Sequence, residues 1–219
     1  MRGVGCAAPL VYLVTDRLAT HGRPLAEVVG CALEALADSQ LPASGIAVQL
    51  REKDLGGGPL LALARELRAV TAAVGVRLFI NDRVDVALAA AADGVHLGGG
   101  ALPTDDVHAL APHLEVALST HSPAEVARAA ADPRISFVVF GPVFDTPSKR
   151  VFGPPQGIEG LAAACSFSIP VLALGGVDAD TILSCLAAGA AGVACVRAVM
   201  GKRDSRAALR AFFGAIEST

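Results

Sequence analysis

Two apolar runs of this chain end in groups suited to holding an anion: Ala173-Leu174-Gly175-Gly176 and Ala194-Cys195-Val196-Arg197. Consecutive glycines let backbone N–H groups approach a phosphate closely, and Arg197 can complete the charge. A second set is Gln49-Leu50-Arg51-Glu52-Lys53. In an extended chain Gln49, Arg51 and Lys53 face one side, and an amide with two cations suits a phosphate or diphosphate; the alternative is a solvated strand end with surface ion pairs. Asn81-Asp82 follows another apolar run. Asn81 can donate to a ligand and Asp82 can hold a hard cation such as Mg²⁺, although Asp82 also fits a helix N-cap. In Ser119-Thr120-His121-Ser122 the imidazole can move protons near neutral pH or make an ordinary structural hydrogen bond. Ser122, just before Pro123, reads as an N-cap. Thr146 and Ser148 can hydrogen-bond a substrate, and Lys149 supplies a point charge to an oxyanion. His96 lies inside an apolar run and reads as a satisfied core histidine; His108 and His113 read as surface residues, with no metal-ligand spacing among the histidines.

Apart from His96, His108 and His113, these residues share one trait: each follows or closes a short β-type run. Such runs are predicted at 11–15, 45–50, 77–80, 94–97, 114–118, 136–140, 170–174 and 193–196. Helical segments lie between and after them, near 25–37, 59–74, 84–91, 105–111, 123–131, 158–165, 179–188 and 205–216. The last shows an apolar stripe of Leu209, Phe212, Phe213 and Ile216. Eight alternations with one composition regime predict an α/β fold, a single (β/α)₈ TIM barrel domain over 1–219, with 1–10 a frayed tail. A doubly wound sheet is the alternative. In a barrel the groups above would gather on the carboxyl-end face, where the loops after strands seven and eight commonly cradle a phosphate.

Composition narrows the partners. The chain has 219 residues, 53% hydrophobic and 4% aromatic, with a formal charge of −3. That charge argues against general nucleic-acid affinity. Charged residues, Gly or Pro break every apolar stretch before about 18 residues, which argues against a membrane helix. The start is too short for a signal peptide. Five widely spaced cysteines read as reduced thiols in a cytoplasmic protein. The partners expected are small-molecule phosphates and diphosphates, with a homodimer left open.

The ordered set Tyr12-Leu13-Val14-Thr15-Asp16-Arg17, Gln49 to Lys53, Asn81-Asp82-Arg83-Val84-Asp85, Asp93-Gly94-Val95-His96-Leu97-Gly98, Ser119 to Ser122, Gly141-Pro142-Val143-Phe144, Thr146 to Lys149 and Gly175-Gly176 resembles the thiamin-phosphate synthase and thiazole tautomerase superfamily. The resemblance runs from about Tyr12 to Met200 and implies a (β/α)₈ barrel. In the synthase a hydroxymethylpyrimidine diphosphate loses pyrophosphate, and the nitrogen of a thiazole phosphate attacks the resulting pyrimidinylmethyl cation. By resemblance Gln49, Arg51, Lys53, Asn81, Ser119 and Lys149 bind the pyrimidine diphosphate, and Asp82 holds Mg²⁺. Thr146, Ser148 and Gly176 contact the thiazole phosphate.

Two departures stand out. The synthase pattern places a second carboxylate where this chain has Ala101, so Mg²⁺ would depend on substrate oxygens. Arg197 stands where a serine is usual, which looks more like the tautomerase branch, with His121 moving the proton. A synthase is the preferred reading. A thiazole tautomerase acting on the thiazole carboxylate phosphate and a non-catalytic thiamin-phosphate-binding regulator are the alternatives. A sugar-phosphate isomerase on the same fold would have no use for the Gln49 to Lys53 set.

Overall fold

The computed structural model describes residues 7–146 and 154–218. Eight parallel strands close on themselves in sequence order: β1 (Val11–Val14), β2 (Ile46–Leu50), β3 (Arg77–Asn81), β4 (Gly94–Leu97), β5 (Glu115–Thr120), β6 (Ile135–Phe140), β7 (Val171–Leu174) and β8 (Gly192–Cys195). The last pairs with the first, Val11 opposite Val193 and Leu13 opposite Cys195. The strands are short and almost wholly buried, because one face fills the barrel and the other lies under helices.

The outer ring consists of α1 (Leu25–Leu33), α2 (Gly57–Ala73), α3 (Val84–Ala89), α4 (Thr104–Leu110), α5 (Pro123–Ala130), α6 (Gly157–Cys165), α7 (Ile182–Ala187), α8 (Arg197–Met200) and α9 (Ser205–Glu217). Local chemistry sets several of their ends. Ser122 caps α5, accepting from the Glu125 N–H with Pro123 in the first turn. Asp204 caps α9 by accepting from the Ala207 N–H at 2.8 Å, and Leu209, Phe212 and Phe213 are its buried stripe.

The structure departs from the sequence reading at four places. The predicted 25–37 helix tightens to a 3₁₀ turn from Glu34. The helix expected from Ala179 begins at Ile182, because the Asp178 carboxylate accepts from the Asp180 and Thr181 N–H groups and holds a turn. Arg197, read as lying just beyond the eighth strand, is the first residue of the short helix α8. Of the predicted tail, Leu10 bonds to Gly45 and Val193, and the Ala7 carbonyl accepts from Arg77.

Alternation divides the interior into levels. In the middle, Tyr12, Phe79 and Phe137 meet edge to face at centroid separations of 5.4–5.6 Å. At the amino end, Arg77 donates to Glu115 at 2.9 Å and to the carbonyls of Ala7 and Ser44. At the carboxyl end, the same inward positions carry Gln49, Asn81, His96 and Ser119.

Candidate active site

The carboxyl-end level holds two hydrogen-bond chains. The first is anchored on Asp82, whose carboxylate can only accept. Asn81 Nδ2 donates to it at 2.8 Å, which turns Asn81 Oδ1 toward Gln49 Nε2 at 3.1 Å. The Gly98 N–H donates to the other Asp82 oxygen at 2.7 Å, and Lys53 Nζ lies 3.8 Å away. Asp82 reaches these groups from a left-handed backbone, φ 58°. It is therefore not a helix cap: Arg83 holds the N-cap position of α3, without a side-chain bond. Gln49 is buried, while Arg51 and Lys53 are exposed at the barrel mouth.

The second chain contains His96. Its Nε2 lies 2.8 Å from Ser119 Oγ and its Nδ1 lies 3.4 Å from the Tyr12 hydroxyl, with the Tyr12 and His96 rings stacked. Burial, above all, lowers the His96 pKa to about 3; the Asp82 charge opposes this, and Arg51 and Lys53 add to it. His96 is thus a satisfied neutral histidine and also the group that touches Ser119. Ser119 itself lies inside β5, which runs two residues further than the predicted strand.

The loop after β1 is tied to the end of β2 by a buried carboxylate that the sequence reading passed over. Glu52 accepts from Thr15 Oγ1 at 2.7 Å and from the Arg17 N–H at 3.1 Å, and the Arg51 N–H donates to Thr15 Oγ1 at 2.9 Å. Burial raises the Glu52 pKa; the bonds from Thr15 and Arg17 oppose that. The signal was present in the alternation: Glu52 must face away from Arg51 and Lys53, back toward the neighbouring chain.

On the far side, the loops after β6 and β7 pack together. Val143 and Phe144 donate to the carbonyls of Leu174 and Gly175. Gly175 and Gly176 have φ of 100° and 67°, and a Cβ on either would lie 2.6 Å from Pro142 or Phe144. These glycines have a packing reason to be there, whatever they bind. His121 Nδ1 lies 2.7 Å from the Gly141 carbonyl, which can only accept, so Nδ1 carries the hydrogen. Arg197 Nε lies 3.3 Å from Asp16 Oδ2 and joins the β8 end to the β1 loop. Thr146 is half-buried at the edge of the described β6 loop, and the predicted Ser148 and Lys149 lie outside the described residues.

The donor set does not make a resident metal site. One carboxylate, Asp82, is engaged by Gly98, Asn81 and Lys53; Ala101 bonds only through its backbone to Gly98, and Asp105 pairs with Arg134. Among the described residues no cluster of three metal-binding side chains exists. What the arrangement offers is a mouth with two exposed cations, an amide pair of defined orientation and a serine hydroxyl, which suits a bound oxyanion.

The chain matches the family model described as thiamine monophosphate synthase over residues 11–199. A protein of Geobacter sulfurreducens, named as a candidate thiamine-phosphate synthase, is 46% identical over 92% of this chain and 91% of its own. The thiamine-phosphate synthase of Roseiflexus sp. strain RS-1 is 39% identical over 95% of this chain and 86% of its own. The solved thiamine phosphate pyrophosphorylase from Pyrococcus furiosus superposes with a TM-score of 0.83 at 33% identity, covering 95% of both chains.

Proposed function

The chain belongs to the thiamine monophosphate synthase family, and on that premise we propose that it joins a hydroxymethylpyrimidine diphosphate to a thiazole phosphate. The carbon–oxygen bond to the diphosphate breaks and pyrophosphate leaves with the electron pair. The thiazole nitrogen then bonds to the pyrimidinylmethyl cation. Charge grows on the leaving oxygens as the bond breaks, so cations fixed at those oxygens lower the barrier. Arg51 and Lys53 are proposed for that role, with Lys149 joining them from outside the described residues.

Gln49 and Asn81 orient the pyrimidine diphosphate, and Ser119 adds a hydrogen bond. Thr146, Ser148, Gly175, Gly176 and Arg197 are assigned to the thiazole phosphate. Mg²⁺ would enter with the diphosphate as its salt and neutralise leaving-group charge, with Asp82 as the residue that would hold it. The observation that carries this reading is the Gln49–Asn81–Asp82 chain beneath two exposed cations at the barrel mouth. The test is a purified-protein assay with both substrates and Mg²⁺. Thiamin phosphate and pyrophosphate should form in equal amounts, and their absence would overturn the proposal.

A thiazole tautomerase is the second reading, favoured by one observation. His121 Nδ1–H is held on Gly141, which leaves Nε2 as the nitrogen able to take a proton. It requires isomerisation of the thiazole carboxylate phosphate without diphosphate or Mg²⁺, abolished in His121→Ala.

A further inference from the structure

We propose that Tyr12 and His96 are positioning residues that give the Ser119 hydroxyl one direction, so that it donates its hydrogen to the pyrimidine diphosphate. This rests on the synthase reading for the identity of the ligand and on geometry for the rest. The phenol oxygen of Tyr12 is wholly buried, and among the described residues its one hydrogen-bond partner is His96 Nδ1, at 3.4 Å. Phe79 and Phe137 stand edge-on to its ring and provide no acceptor.

Two directions are possible along the chain. If Ser119 donated to Nε2, Nδ1–H would point at the Tyr12 oxygen, and the phenol hydrogen would be buried without an acceptor. An unmade buried bond of this kind costs about 1–3 kcal/mol. In the other direction Tyr12 donates to Nδ1, Nε2 carries the ring hydrogen, and Nε2–H donates to Ser119 Oγ at 2.8 Å. Every buried donor is then used. The Ser119 hydrogen is freed for the mouth, since its oxygen already accepts from the imidazole.

The placement follows from register. His96 pairs with Ala117, and Ser119 is the next residue of β5 on the same inward side. Tyr12 lies one level below, in the aromatic layer. A residue that touches no ligand thereby sets what a ligand-facing residue can do.

The test has two independent parts. Nitrogen-15 correlation spectra of the substrate-free protein report the His96 tautomer. The expected result is hydrogen on Nε2 in the wild type and a shift toward Nδ1 in Tyr12→Phe, which keeps the core shape. Hydrogen on Nδ1 in the wild type overturns the proposal whatever the enzyme does.

The second part is a double-mutant cycle on kcat/KM for thiamin-phosphate formation. Tyr12→Phe should lower it about 3- to 10-fold, and should have no further effect in the Ser119→Ala background. Effects that multiply in full would mean a structural role only and overturn the proposal. A wild type with the expected tautomer and no synthase activity would overturn the functional reading while leaving the hydrogen-bond direction established.

Discussion

The two ends of the barrel interior handle charge in opposite ways. At the amino end, Arg77 is almost fully buried and spends its guanidinium on Glu115 and two backbone carbonyls. Next to it, Arg68 pairs with Asp93, which also accepts from the Leu78 N–H. At the carboxyl end, Arg51 and Lys53 stand exposed, and the nearest carboxylate, Asp82, is 3.8 Å from Lys53 and already bonded to Asn81 and Gly98. Charges consumed inside the chain stabilise a fold. Charges left exposed at the rim are the ones the proposed diphosphate would meet, so the same residue types stand in different surroundings at the two ends.

That contrast breaks if the amino end proves dispensable. Arg77→Ala should lower the unfolding free energy by about 3–5 kcal/mol, because it strands a partly buried Glu115 carboxylate. Urea denaturation checks this, and a loss below about 1 kcal/mol would mean the pairing is not what closes that end. Arg51→Ala should do the reverse. We expect kcat/KM to fall about 100- to 1,000-fold with stability within about 0.5 kcal/mol of wild type; steady-state kinetics beside a melting curve separate the two.

The carboxyl end should also reveal itself through acid. In the unfolded chain His96 titrates near its ordinary value, about 6.5, but in the fold its pKa is about 3. Between those values the unfolded state binds the extra proton, so this stabilising contribution is present above about pH 6.5 and is lost as pH falls toward 3. The loss from pH 6.5 to 4.5 should be roughly 2–3 kcal/mol. His96→Gln should remove that part of the slope, and an unchanged slope would mean another group carries it.

Arg197 is the intermediate case, at the open end yet paired with Asp16. Arg197→Ala should weaken thiazole-phosphate binding about 10-fold in calorimetry. Unchanged affinity would leave Arg197 as a tie between two loops.

The barrel was legible because the strands are short apolar runs, those of β3, β4, β6 and β7 stopped by Asn81-Asp82, Gly98, Gly141 and Gly175, and because parallel strands are buried on both faces. Alternation alone put Gln49 on the inward face, where the structure has it buried. Other features depend on contacts between distant segments. Nothing local announces that Asp82 adopts a left-handed backbone and reaches Gly98 rather than capping α3. Glu52 looks like one more charged residue until Thr15 and Arg17 close over it. His96 was readable as a core histidine, but its contact with Ser119 exists only through the β4–β5 register.

The seam between β1 and β8 has a consequence for synthesis. Its partners are about 180 positions apart, and Arg23 reinforces it by donating to the carbonyls of Lys202 and Arg203. A ribosome adding 5–20 residues per second needs roughly 10–40 s to cover that distance. Through that interval the free side of β1 has no neighbour, and an apolar strand with unpaired N–H and C=O groups can recruit another chain. The nascent protein is therefore most exposed to misassembly just before its last β/α units emerge, and a chaperone that shields β1 until then would raise the yield without altering the finished enzyme.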